Sequence, residues 1–150
     1  MQSTAGIAHA IATWFGTGHV RWAPGTAATL TAWPLHHVLT VLPPAAELSI
    51  VIAVVVVGTW AAEQVSRASG IEDPQFVVID EVAGALISLA LVRGHGLGAE
   101  MLALTLFRAL DILKPWPLRR FEAIRPAGVG IMADDFGAAL VAGLVVRLLV

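Results

Sequence analysis

The chain is written in long apolar blocks separated by short polar punctuation. Three blocks stand out: TAATLTAWPLHHVLTVL (26–42), LSIVIAVVVVGTWAA (48–62) and FGAALVAGLVVRLLV (136–150). VAGALISLALV (82–92) makes a fourth and MLALTLF (101–107) a shorter fifth. The valines of 51–57 suit a buried strand. The uncharged run around them is 15 residues long and flanked by Ala and Leu, which predicts a helix instead. Pro34 predicts a kink or an end in the helix of 26–42. Breaks are expected at LPPAAE (42–47), RASGIEDPQ (67–75) and RGHGLGAE (93–100). KPWPLRRFEAIRPAGVG (114–130) is the longest irregular tract. Gly84, Ala85, Gly137, Ala138, Ala142 and Gly143 are small enough to let helices approach closely.

This pattern predicts one all-α domain over residues 1–150, a compact membrane-associated helical bundle. Several of its transmembrane helices should be short or broken, because few runs reach the roughly 20 apolar residues of a full span. Composition supports the membrane. The chain is 57% hydrophobic and 13% charged, against about 25% charged for an ordinary soluble domain. A soluble helical protein that buries its apolar surface in a homo-oligomer is the other way to carry such a sequence. Net charge is −2, so no basic field exists to attract nucleic acid. With no cysteine, disulfides, thiolate metal sites and cysteine nucleophiles are excluded. The N-terminal MQSTAGIAHAIATWFG lacks the basic region of a signal peptide. Trp14, Trp22, Trp33, Trp60 and Trp116 suit interfacial anchors or plain core packing.

Charge changes the picture most where it is rare. Five of the eleven acids fall in three clusters: Asp80-Glu81, Asp111 and Asp134-Asp135. Each borders an apolar run. An ionised carboxylate in hydrocarbon is costly unless paired, hydrated or metal-bound, and grouped carboxylates cannot all stay ionised without a cation. Oxygen-only ligation suits Mg²⁺, which binds through one or two carboxylates and substrate phosphate. Any single cluster is equally well read as a helix N-terminal charge, with Asp80 capping 82–92 and Asp134 or Asp135 capping the helix from 136. All three in so charge-poor a chain favour one shared site.

FRALDILKP (107–115) sets Arg108, Asp111 and Lys114 at i, i+3 spacing on one helical face. Arg108 suits a bidentate grip on phosphate and Lys114 a point charge, although an intrahelical ion-pair ladder explains the same spacing. In WAPGTAATL (22–30), Pro24 and Gly25 form a turn and Thr26 is placed to cap the following helix, whose free N–H groups could hold an anion. Alone, an ordinary turn and cap suffices. Arg119, Arg120 and Arg125 fit lipid headgroups better than chemistry. His36 and His37 read as a packed or interfacial pair, or as ligands, and His19 is near enough to Arg21 to face a site.

Four blocks together resemble the phosphatidylglycerophosphatase A family of bacterial lipid phosphatases: ATWFGTGHVRWAPGTAATL (12–30), VVIDEVAGALISL (77–89), FRALDILKPWPLRRFE (107–122) and GVGIMADDFGAAL (128–140). They keep the family's order. Ala27, Ala28 and Thr29 depart from its usual aromatic, small residue and serine, and Ala127 stands before Gly128 where a glycine pair is usual. The resemblance implies Mg²⁺-dependent hydrolysis of phosphatidylglycerophosphate to phosphatidylglycerol at the bacterial inner membrane by a multi-pass protein. For that reaction the charge pattern makes Asp80, Glu81, Asp111, Asp134 and Asp135 the expected catalytic metal-holding groups, and Arg108, Lys114, Thr26 and Gly25 the expected phosphate-binding groups. The rival function is a non-enzymic helical protein whose buried carboxylates carry cations or protons. Neither long complete spans nor an internal repeat favours that rival.

Overall fold

The computed structural model describes residues 2–150. Among them there are six α-helices and no strand: α1 (Gln2–Ala12), α2 (Pro24–Leu39), α3 (Pro44–Ser69), α4 (Ile79–Leu91), α5 (Leu97–Leu113) and α6 (Ala127–Leu149). Two 3₁₀ turns, Thr17–His19 and Leu118–Ala123, bridge α1 to α2 and α5 to α6.

The shortest apolar helix after α1 is the centre of the bundle. α4 packs against α2, α3, α5 and α6. Every residue from Val82 to Leu89 is buried, so this helix is apolar on all sides because it has no solvent side. Its 13 residues reach about 20 Å, too short to cross a bilayer core of about 30 Å. Close packing around it uses small residues. At Gly84 a Cβ would collide with the ring of Phe107, which is fully buried on α5. Burying such a side chain contributes about 1.5–3 kcal/mol, so a bulkier residue at 84 would act on α4 and α5 together.

α3 has 26 residues and α6 has 23, both long and apolar enough to cross a membrane. Their outward faces carry Ile52, Val56, Val141, Leu144 and Leu148 exposed, while Glu47, Asp134 and Asp135 are buried on the same two helices. Apolar residues outside and carboxylates inside are the reverse of a soluble bundle, and extended exposed apolar surface marks contact with lipid or another protein. The protein is membrane-associated.

Several predicted boundaries shift. Pro34 lies inside α2, and the helix runs on to Leu39. Burial of Ala28, Ala32, His36 and Leu39 along one side holds it there, which illustrates tertiary packing overriding a local breaker. The 114–130 tract is less irregular than expected, since Leu118–Ala123 is a 3₁₀ turn and α6 already begins at Ala127. Asp134 and Asp135 are therefore interior residues of α6 rather than caps. Asp80 follows the first residue of α4, whose cap position is Val78. Thr26 does not cap α2, which starts at Pro24 after Ala23.

Candidate active site

Three helix segments converge at one end of the bundle. The loop between α3 and α4 is pinned at its start by Ser66, whose hydroxyl donates to the carbonyls of Ile71 at 2.9 Å and Glu72 at 3.1 Å. At its end the Val78 amide donates to Ala12 O at 2.9 Å. This loop delivers Asp80 and Glu81 in the first turn of α4, where the helix dipole favours negative charge. The C-terminal part of α5 supplies Arg108 and Asp111, and Lys114 follows at its end with φ 43°. α6 supplies Asp134 and Asp135, both buried.

The five acids meet. Ligand oxygens of Asp80, Glu81 and Asp135 lie within 4.8 Å of one another, as do those of Asp111, Asp134 and Asp135. Asp135 belongs to both triads. Arg108 forms an ion pair with Asp111 and lies 3.8 Å from Glu81 Oε1. Lys114 Nζ is 2.5 Å from Asp134 Oδ2. Two cations thus face five carboxylates. Burial, followed by the charges of Glu81 and Asp135, raises Asp80 well above the usual carboxylate range. Burial also raises Glu81, against the opposing pull of its hydrogen bond with Asp80 and of Arg108. Asp80 Oδ1, Glu81 Oε2 and Asp135 Oδ2 are buried without a hydrogen-bond partner among the described residues. Buried carboxylate oxygens with no donor are the arrangement a hard divalent cation relieves, and an all-oxygen donor set fits Mg²⁺.

These groups line a cavity of about 510 Å³, within the range of a small-ligand site. Pro24 and Gly25 close one side of it. A Cβ on Gly25 would strike the carboxylate of Glu81 and crowd Arg108, so only glycine lets the start of α2 come this near. Thr29 donates to Gly25 O at 2.9 Å, and its hydroxyl is therefore used to hold the turn. Thr26, expected among the phosphate-binding groups, is not among the cavity-lining residues.

Some residues of the cavity were read differently in the sequence. Glu72 and Asp73 line it, although they lie in what looked like a polar connection. Arg125 lines it too, instead of only meeting headgroups. The signal for all three was present as charge in short loops, but nothing local shows where a loop will fold. His19 does not face the cavity, and its Nε2 lies 3.2 Å from Nε2 of His9. His36 and His37 pair with Glu47 at 3.0 Å and Glu100 at 3.1 Å, at the other end of the bundle.

A family model described as Phosphatidylglycerophosphatase A matches residues 10–150. The Phosphatidylglycerophosphatase A of Escherichia coli (strain K12) is 32% identical over 133 residues, covering 89% of this chain and 77% of its own. That of Haemophilus influenzae is 34% identical over 139 residues, covering 92% and 85%. A Bacteroides thetaiotaomicron protein, whose name provisionally makes it a phosphatidylinositol-3-phosphatase, is 39% identical over 132 residues, covering 83% and 82%. No solved structure matches.

Proposed function

This chain belongs to the phosphatidylglycerophosphatase A family of phosphatases, and we propose that its acidic cavity hydrolyses the terminal phosphate of phosphatidylglycerophosphate, yielding phosphatidylglycerol and inorganic phosphate. The observation that carries this reading is the pair of carboxylate triads sharing Asp135 in one cavity with Arg108 and Lys114. The names of the relatives point to the same chemistry. Phosphatidylglycerophosphate and a phosphatidylinositol 3-phosphate each carry a terminal phosphomonoester and an internal phosphodiester that joins the headgroup to the diacylglycerol.

In this reading Asp80, Glu81 and Asp135, together with Asp111 and Asp134, hold one or two Mg²⁺ ions. When bound, the ion supplies positive charge to the phosphoryl oxygens and makes water easier to deprotonate. Arg108 and Lys114 are held by Asp111 and Asp134 at the cavity wall, ready to share the charge of the phosphomonoester. Gly25, in the first turn of α2, lets the helix N-terminus, a natural anion site, close against Glu81 and Arg108 at the cavity wall. A carboxylate of the cluster accepts a proton from the attacking water. The P–O bond to glycerol breaks, and the departing alkoxide takes up a proton to become the free hydroxyl. The exposed faces of α3 and α6 seat the enzyme in the bacterial cytoplasmic membrane as a multi-pass protein, with the cavity near one surface.

The deciding experiment is phosphate release from phosphatidylglycerophosphate in detergent micelles with Mg²⁺, with EDTA, and with Mg²⁺ restored. Activity is expected in the first and third conditions. Equal rates in all three would remove the ion from the reading, and no release under any condition would remove the reaction.

A further inference from the structure

The cavity's cations are not equivalent. Arg108 and Lys114 have side chains 17% and 28% exposed and are tied to the half-buried Asp111 and the buried Asp134. Arg125, just before α6, lies at the rim. Its Nη2 donates to Glu72 Oε1 at 2.7 Å, and the two side chains are 56% and 73% exposed. An ion pair so exposed contributes little, and a phosphate can replace the carboxylate because a guanidinium matches either one through two parallel N–H donors. Arg125 lines the same cavity as the deep acids, so a lipid whose terminal phosphate reaches them has this exposed guanidinium beside the next group of its headgroup.

We propose that Arg125 binds the internal phosphodiester of the substrate, exchanging Glu72 for it, and so sets a preference for lipids with both phosphates over lipids with the monoester alone. This rests on the reaction assigned above and adds the feature of the headgroup that is read. Arg125 is a specificity residue, since the diester it holds is not cleaved. Glu72 covers the guanidinium between substrates and gives the diester a carboxylate to displace.

The test compares phosphatidylglycerophosphate with phosphatidic acid, which has the monoester and lacks the diester, on the full-length protein in mixed micelles with Mg²⁺. The readout is the ratio of kcat/KM for the two lipids. Losing one charge-assisted contact at this exposed rim should lower that ratio roughly two- to fivefold in Arg125→Ala, through KM more than kcat. Arg125→Lys should retain part of it. Glu72→Gln, which removes the competing carboxylate, should lower KM for phosphatidylglycerophosphate, and it serves if the arginine variant does not fold. A proportional loss on both lipids in Arg125→Ala overturns the proposal, as does an unchanged KM in Glu72→Gln. A wild-type enzyme that releases phosphate from neither lipid defeats the assigned reaction, and this inference falls with it. One that hydrolyses both with a ratio indifferent to Arg125 defeats this inference alone.

Discussion

The bundle buries carboxylates at both ends and treats them in opposite ways. At the end made by the C-terminus of α2 and the starts of α3 and α5, Glu47 and Glu100 are almost inaccessible. Arg93 donates to Glu47 Oε2 at 2.6 Å and to the carbonyls of Thr40 and Leu42 at 2.9 and 3.0 Å. His36 Nδ1 comes within 3.0 Å of Glu47 Oε1, although not in hydrogen-bond geometry. Glu100 accepts from Trp33 Nε1 at 2.8 Å and pairs with His37. Each acid there has a donor from the protein, Arg93 for Glu47 and Trp33 for Glu100, although Glu47 Oε1 and the His36 ring nitrogens make no hydrogen bond, and the cluster ties three helix ends together. At the other end five acids share two cations, and several oxygens have no donor. The contrast separates a buried charge that serves the fold from one that awaits a ligand. Burial and charge are common to both ends, and the difference lies in whether the protein itself completes the neutralisation.

That comparison can be broken most directly at Asp135, the acid common to both triads. Asp135→Asn should lower kcat on the order of 10³-fold, while in EDTA its melting temperature should equal or exceed wild type because a repelling charge is gone. If the variant melts well below wild type in EDTA, the acid end is structural like its counterpart. Arg93→Ala should do the reverse. Leaving Glu47 buried and unpaired costs about 3 kcal/mol of stability, readable by denaturant unfolding in detergent, with kcat of the folded fraction near wild type. Arg108→Ala is expected to raise KM and lower kcat/KM about ten- to hundredfold. An unaltered kcat/KM would make Arg108 a helical ion pair and nothing more.

The smallest effect is in pH, and it has opposite signs at the two ends. In the metal-free protein Asp80 is raised above 3.8, so as pH falls to that raised value the folded state takes up a proton the unfolded chain does not, and stability rises. Burial holds His36 below 6.5. As pH falls past 6.5 the unfolded chain takes a proton the buried imidazole refuses, and stability drops. Melting curves in EDTA across this range should show the first trend weakened in Asp80→Asn, since Glu81 is raised too, and the second lost in His36→Gln. Retention of both slopes in both variants would assign the pH dependence to other groups.

Much of this was visible along the chain, for identifiable reasons. Helices α3 and α6 announce themselves as long apolar runs, and Arg108 with Asp111 is a local i, i+3 relation that any helix realises. α1 gave no clear signal, with its short run of small residues. α2 does not end at its own proline, because residues on both sides of it are buried and the helix packs along α4. Arg125 and Glu72 belong to loops, and they reach the cavity only because the α3–α4 loop and the approach to α6 fold over the same end. Thr26 followed a sound capping rule and failed because the helix began two residues earlier, at Pro24.

What the order of residues determined by itself is the inventory: an apolar helical chain in which each charge is expensive enough to need a reason, with five acids in three places as the expense most in need of one. What only the folded arrangement decided is which charges cancel. Glu47 meets Arg93 across 46 positions, whereas Asp80, Asp111 and Asp135 meet one another. Coulomb energy depends on distance in space and on burial, and neither is written in the spacing along the chain.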